Sequence, residues 1–487
     1  AGIGYPGKWF KYGLYDLRHR VLGKPLIVKQ KDGSLQISLT VESQGKEGCR
    51  QAYSNRDRDP QSAYSFNVDK RALGKDDFKF TTNQIYTIYK DGSIELNSAI
   101  SASQTSVVLP RIGYAMKLPK TYSQFDYYGR GPVNNYSDRK TGQFIEHHQG
   151  IVGKQDIVLP KPQSMGNRED VRWCALSESG KPAVVFVADS TMSVSALPWS
   201  AQQMTVTAHA NELPESDGTY LHLDAKVTGL GGASCGQGGP LTDDRAYSQN
   251  YSFGFVIRPA ANPSAEAMEK AARVSLSGEQ PISISHGNTG KVTLSSPAAN
   301  RTILYTVNGG KKALRYTRPV DMRSGGTITT WYKESPRLKT SVKFDKVDVV
   351  PLQIAFASSE EPDEGEAVNL VDGDESTIWH TIYSITLAKY PHWVDFDASE
   401  PKLMKGFTIL PRQDTGYGRI RDYEIYVSND GKNWGEPIAK GRFDASDEVK
   451  KVMFDQPVKA RYIRFRALNG HYGVDYASAA EFSLIAE

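Results

Sequence analysis

Ile85-Tyr-Thr-Ile-Tyr-Lys-Asp-Gly-Ser-Ile-Glu-Leu-Asn-Ser-Ala-Ile100 holds two runs of β-branched and aromatic residues around Asp91-Gly92. That is a hairpin with a two-residue turn signal. Upstream, Leu35, Ile37, Leu39 and Val41 alternate with polar neighbours, which is the period of a strand. Downstream, Ala183-Val-Val-Phe-Val187 and Phe253-Gly-Phe-Val-Ile257 read as buried strands, and Leu221-His-Leu-Asp224 as a shorter one. Long amphipathic helices are absent from the pattern. A (β/α)8 barrel needs eight strand–helix repeats, so that architecture is excluded and an all-β chain is expected.

The chain has 487 residues. At about 100–200 residues per domain this implies several domains. Hydrophobic residues make up 39% and charged residues 23%, enough to build cores and still face water. No apolar run reaches the ~18 residues that suggest a membrane-spanning helix. Lys and Arg number 59 against 55 Asp and Glu, a formal net charge of +4. So small and dispersed an excess argues against nucleic acid and anionic membranes as partners. Cys49, Cys174 and Cys235 lie far apart and form neither a zinc spacing nor a disulfide framework. Cys174 follows Trp173 in an apolar strand and reads as a plain buried thiol. The start at Ala1 rather than Met reads as an excised or processed piece of something longer.

Three units are expected. Residues 1–260 form the first β region, closed by the Pro/Ala-rich stretch Arg258–Pro263. Residues 265–273 (AEAMEKAAR) form a short linker helix. Residues 264–350 carry short strands at sandwich-like spacing: Val292–Leu294, Ile303–Val307 and Thr327–Tyr332, with a turn at Asn308-Gly-Gly310. This unit reads as a small immunoglobulin-like spacer. Residues 351–487 form a third unit, with strands near Trp393–Phe396, Lys405–Leu410, Tyr423–Val427, Lys451–Phe454 and Tyr462–Leu468.

The first unit carries Leu109-Pro-Arg-Ile-Gly113, Tyr127-Tyr-Gly-Arg-Gly-Pro-Val-Asn-Asn-Tyr-Ser-Asp-Arg139, Pro162-Gln-Ser-Met-Gly-Asn-Arg-Glu-Asp-Val-Arg-Trp173 and Gly229-Leu-Gly-Gly-Ala-Ser-Cys-Gly236, in that order. The series resembles the C-terminal small-chain domain of glycoside hydrolase family 2 β-galactosidases. The resemblance implies a galactose-mutarotase-like supersandwich. It also implies a parent that hydrolyses terminal β-galactosides with retention, using two carboxylic acids about 5 Å apart. In the family both glutamates sit on a barrel upstream of this domain. The chain alone is therefore expected to be inactive and to take that barrel as its partner. The family's barrel-facing loop corresponds to Ser234, Cys235 and Gly236. Gly129, Gly131 and Pro132 are expected to shape a turn, with Asp138 and Arg139 bonding to it. A rival reading is a stand-alone aldose epimerase-like enzyme using one of His147, His148, His209 and His222.

The middle unit resembles the small C-terminal β-sandwich of chitobiase-type enzymes through Ile303–Gly310 and Gly326–Tyr332. The third unit carries Ala367-Val-Asn-Leu-Val-Asp-Gly-Asp-Glu-Ser-Thr-Ile-Trp-His-Thr381, Pro391-His-Trp-Val-Asp-Phe-Asp397, Leu410-Pro-Arg-Gln-Asp414, Ala460-Arg-Tyr-Ile-Arg-Phe465 and Ala479-Ala-Glu481. It resembles discoidin, or factor 5/8 C-type, domains classed as carbohydrate-binding module family 32. That implies a jelly-roll β-sandwich. Carboxylates and hydroxyls packed into one small loop suit calcium. The resemblance implies a structural Ca2+ held by Asp372, Asp374, Ser376, Thr377 and Glu481. It also implies a site for galactose-containing glycans at His380 and Arg412, with Gln413, Tyr417 and Arg419 as further polar contacts and Tyr472 or Tyr476 as the stacking ring. Sugar recognition needs convergent polar groups and an aromatic face.

The leading expectation is a non-catalytic part of a β-galactosidase, periplasmic or secreted. The alternative is an adhesion or scaffold piece whose discoidin domain binds protein or lipid head groups. Few exposed-looking hydrophobic spikes weigh against lipid.

Overall fold

In the computed structural model the described residues run from 9 to 486, except 55–65, 75–76, 104–106, 157, 161, 163–164, 232–239, 274–277, 287–289, 299, 345, 347–349, 363, 373–376 and 414–415. The chain is all-β: a supersandwich, a small immunoglobulin-like sandwich and a discoidin-type jelly roll.

The first sheet has eleven strands. They are β1 (Leu17–Lys29), β2 (Leu35–Gly45), β3 (Lys79–Ile88), β4 (Ile94–Ala102), β5 (Arg111–Leu118), β6 (Gln124–Gly131), β7 (Phe144–Ile151), β8 (Arg168–Ser177), β9 (Ala183–Leu197), β10 (Thr219–Val227) and β11 (Tyr251–Ala260). Spatial order is β1-β2-β3-β4-β11-β9-β8-β6-β7, and β10 pairs with both β9 and β5. Phe125, Tyr127, Val171, Cys174, Leu221 and Phe255 fill one face of this sheet. The helix Ala265–Ala272, capped by Ser264, lays Met268 against Trp173, Val185 and Val256 on the other. Cys174 is a buried free thiol, and burial pushes its pKa up.

Two local expectations are corrected. The β3–β4 turn is longer than two residues: Tyr89 N–H reaches Ser93 O at 2.9 Å and Gly92 N–H reaches Tyr89 O at 3.1 Å. Gly92 takes the left-handed conformation, φ 84°, that closes this longer loop. Gly129 and Gly131 lie in β6 rather than in a turn. A Cβ on Gly129 would sit 2.6 Å from Val171, so that glycine lets β8 pack close.

The burial of β2 also departs from simple alternation. Ser34, Gln36, Ser38 and Thr40 are buried, whereas Leu35, Ile37 and Leu39 are only partly so.

The middle sandwich packs β12 (Ser283–His286), β13 (Lys291–Ser295) and β16 (Val320–Asp321) against β14 (Ile303–Val307), β15 (Leu314–Arg315), β17 (Gly326–Tyr332) and β18 (Thr340–Phe344). Ile284, Val292, Leu294, Ile328 and Val342 form its core.

The jelly roll holds β19 (Gln353–Ala357), β20 (Trp379–His380), β21 (His392–Pro411), β22 (Ile420–Ser428), β23 (Ala439–Arg442), β24 (Lys450–Gly470) and β25 (Ser478–Ala486). Its order is β20-β25-β21-β24-β22-β23, with β19 on β21. Strands read separately at 393–396 and 405–410 join in β21, with a register shift between Asp397 and Lys402. Trp379, Phe396, Phe407, Phe465 and Phe482 form the core, and the rings of Phe396 and Phe482 stack 4.3 Å apart.

Candidate functional site

Trp379 and His380 occupy neighbouring positions on β20, so their side chains point to opposite sides. Trp379 goes inward and donates its indole N–H to Ser359 O at 2.9 Å. His380 goes to the loop end, where it is 7% exposed. Its Nδ1 lies 2.6 Å from Thr381 O. The imidazole stacks on Tyr476 at 4.9 Å and meets Tyr383 edge-on at the same distance. This leaves a fixed ring framed by two tyrosines.

Tyr383 was missed in the sequence. It is held twice: its N–H donates to Glu361 Oε2 and its hydroxyl to Glu364 Oε2, each at 2.6 Å. The bond to Glu364 raises the Tyr383 pKa most, while the Arg412 charge acts the other way. Arg412 therefore lies within electrostatic reach of Tyr383. Burial alone would raise the Glu361 carboxyl, but bonds from Ser384 and Tyr383 outweigh it and hold the pKa below the usual range. A glutamate at i−19 from a histidine carries no local signal. Only the fold brings these residues together.

The other expected contacts divide into two groups. Gln413 Nε2 donates to Pro411 O at 2.7 Å and to Asp447 O at 2.9 Å. Arg419 donates to Arg412 O at 3.1 Å and to Ala445 O at 2.8 Å. Both brace the loops. Tyr417 and Tyr472, by contrast, are exposed and their ring centroids lie 5.7 Å apart. Tyr472 adopts a left-handed φ of 62°, which aims the short turn His471–Gly473 outward. Tyr476 serves as packing for His380.

Exposed hydrophobic spikes are present, contrary to the expectation. Ile385 is 80% exposed and Leu387 49%, on the loop that follows Tyr383.

Of the expected calcium ligands, Asp374 and Ser376 lie outside the described residues. Thr377 Oγ1 donates to Asp372 Oδ2 at 2.8 Å, and Glu481 stands on β25 opposite Leu410. Among the described residues no three acidic, His or Cys side chains form a metal-holding group.

In the supersandwich, Ser234, Cys235 and Gly236 also lie outside the described residues. The approach to their loop is well defined. Asp138 accepts from Leu230 N–H at 3.2 Å and from Gly231 N–H at 2.7 Å. It thus ties the YSDR segment to the glycine-rich loop, rather than to the turn expected for it. Arg130 Nε donates to Asp170 Oδ2 at 2.6 Å, and Asn135 Oδ1 accepts from Glu169 N–H at 2.8 Å. Motifs far apart in the sequence converge here on one another. Asp170 carries a left-handed φ of 55° at a register shift in β8, held by Arg130 and Lys140.

The four histidines of the epimerase reading are scattered. His222 is partly buried, and desolvation pushes its pKa down to about 3. His209 pairs at the surface with Glu212 at 3.0 Å. His147 packs on Trp173 and His148 on Tyr127.

Residues 8–257 match the model of the β-galactosidase small chain, more than half of the chain. The chain belongs to the β-galactosidase small-chain family. Residues 355–482 of this family member match the F5/8 type C domain. A β-galactosidase of Priestia megaterium is 30% identical over 175 residues, covering 36% of this chain and 17% of the relative. A sialidase of Micromonospora viridifaciens is 36% identical over 172 residues, covering 34% of this chain and 26% of the relative. The chain thus spans a small part of the length of these relatives. The solved CpGH89CBM32-5 of Clostridium perfringens, in complex with GalNAc-beta-1,3-galactose, is 35% identical over 28% of this chain and 99% of that one, at a TM-score of 0.27. Among the described residues no helix is long and apolar enough to cross a membrane.

Proposed function

We propose that this chain is the non-catalytic part of a family 2 β-galactosidase, supporting a catalytic barrel and binding galactose-containing glycans through its F5/8 type C domain. The observation that carries the reading is the framed imidazole of His380, fixed between Tyr383 and Tyr476, with Arg412 in electrostatic reach of Tyr383. His380 and Arg412 offer hydrogen bonds to vicinal hydroxyls. The exposed rings of Tyr383, Tyr417 and Tyr472 offer apolar faces to a pyranose. Gln413 and Arg419 keep the loop in shape beneath them. A structural Ca2+ on Asp372, Asp374, Ser376, Thr377 and Glu481 would tie the loop before β20 to β25. The parent enzyme would cleave terminal β-galactosides with retention, outside the cytoplasm.

A glycan panel and a nitrophenyl galactoside assay test this together. Binding of galactosides without turnover supports the reading, and turnover by the isolated chain overturns it. Chelation of calcium should lower the melting temperature of the jelly roll; an unchanged melting curve removes the metal from the account.

Ile385 and Leu387 favour one second reading, an adhesion module that inserts this loop into a lipid or protein surface. Co-sedimentation with phosphatidylserine vesicles separates the two: retention lost in Ile385→Ser supports adhesion, and no retention excludes the lipid form.

A further inference from the structure

Glu95 and Asn97 are 1% and 0% exposed, yet they alternate along β4 with Leu96, which belongs to the apolar core. Their side chains therefore face away from that core. The adjoining strands repeat the pattern with Gln36, Ser38, Thr40 and Asn83, all buried. A buried polar face must find hydrogen-bond partners, because unpaired groups out of water are strongly unfavourable.

Residues 278–283, which lead into the middle sandwich, supply them. Gly278 N–H donates to Glu95 Oε1 at 2.8 Å, and Gln280 Nε2 donates to Asn97 Oδ1 at 3.0 Å. Asn83 Nδ2 donates to Ile282 O at 3.1 Å, and the hydroxyls of Ser101 and Ser283 lie 3.4 Å apart. Tyr89 OH and Asn97 Nδ2 complete the Glu95 carboxylate at 2.5 and 2.9 Å. The approach is tight: a Cβ on Gly278 would fall 2.6 Å from the Glu95 carboxyl. The same segment is also fastened to the middle sandwich. Glu279 pairs with Arg301 and accepts from Ser335 Oγ at 3.1 Å, and the Arg301 guanidinium lies 4.3 Å from the centre of the Tyr332 ring.

We infer that the middle sandwich is a fixed outer layer of the large sheet rather than a flexible spacer. Its partner surface is the polar face of β2, β3 and β4. The two sandwiches unfold as one cooperative unit, because separating them would expose Glu95 and Asn97 and strip each of its bonds to residues 278–280. The sequence reads as a spacer because this docking uses Asn, Ser, Gln and Glu, which look like solvent-facing residues in a linear pattern.

Hydrogen exchange with mass spectrometry on the full chain tests this in mild denaturant. Amides of β3 and β4 should exchange in concert with those of β12 and β13. Gly278→Val should speed both sets at least tenfold and leave β21 and β25 unchanged. Should that variant fail to fold, Asn83→Ala with Gln280→Ala supplies a milder cut with the same paired response. Independent exchange of the two sets in the wild-type chain, or acceleration of one set alone, would overturn the inference. So would unchanged rates in the variants.

Discussion

The supersandwich and the jelly roll draw on the same side-chain chemistry and aim it in opposite directions. In the supersandwich, Arg130, Asn135, Asn167, Glu169 and Asp170 bond to one another across distant motifs, and Asp138 accepts from the backbone of Leu230 and Gly231. Its histidines pack against rings, pair with neighbouring side chains or lie partly buried. In the jelly roll, Gln413 and Arg419 brace loops by bonds to backbone carbonyls, Tyr417 and Tyr472 stand open beside each other, and Tyr383 stands open beside His380. Motif residues that satisfy each other hold a shape. Motif residues braced from below can meet a ligand. The difference lies in which partners each side chain takes and how exposed the rings are left, and sequence motifs alone do not reveal it.

The strongest way to break the comparison is to remove the anchor beneath the open site. Trp379 is wholly buried, and truncating a buried Trp costs about 3–5 kcal/mol. Trp379→Ala should unfold the jelly roll and abolish glycan binding, while the supersandwich melts where it did before. Differential scanning calorimetry should show one transition lost or lowered and the other unmoved.

The next test concerns charges inside the supersandwich. Burial raises Asp224 to about 6, with Arg111 at 3.1 Å opposing the shift, and burial lowers His222 to about 3. The two act with opposite sign. Asp224 favours folding most below its unfolded pKa of ~3.9, and that contribution is lost as pH rises through about 6. His222 favours folding fully above its unfolded pKa of ~6.5, and that contribution is lost as pH falls toward about 3. Between pH 4 and 6 they partly cancel, each with a slope of at most ~1.4 kcal/mol per pH unit. Asp224→Asn should therefore make acid destabilisation steeper and His222→Gln should make it shallower. Urea melts of each variant at pH 4, 5, 6 and 7 read this directly. Glycan affinity at pH 7 should not change in either.

A smaller effect separates contact from brace within the jelly roll. Arg412→Ala should weaken galactose binding about tenfold to hundredfold, or ~1.4–2.8 kcal/mol, with little change in melting temperature. Gln413→Ala, one residue on, should do the reverse. It gives up two bonds to backbone carbonyls, costing on the order of 1 kcal/mol of stability, and leaves affinity within about twofold. If both variants lose affinity alike, Gln413 touches the sugar and the division between braces and contacts fails.

Much of the fold was legible from local pattern. The alternation at Leu35–Val41 and the apolar runs at 183–187 and 253–257 fall on strands of the expected sheets. The pattern did not reveal which face of β2 is buried. Alternation marks two faces but does not say what covers each, and the polar face is the one under the middle sandwich. His380 and Arg412 were singled out through motif resemblance. Tyr383, Glu361 and Glu364 were not, because their joint position depends on the bridge between Glu361 and Gly365 and on the backbone bonds of His380 to both. Gln413 and Arg419 look like ligands in a linear reading because their chemistry suits sugar. Their three-dimensional neighbours, the carbonyls of Pro411, Asp447, Arg412 and Ala445, claim that chemistry first.

The account rests on binding being confined to one end of the jelly roll. Calorimetric titration of the full chain with galactose, N-acetylgalactosamine and lactose, repeated on Arg412→Ala and Tyr383→Ala, tests that directly. One site per chain, lost in Arg412→Ala and weakened in Tyr383→Ala, is the predicted result. Binding that survives both substitutions would place the sugar elsewhere in the molecule and contradict the account.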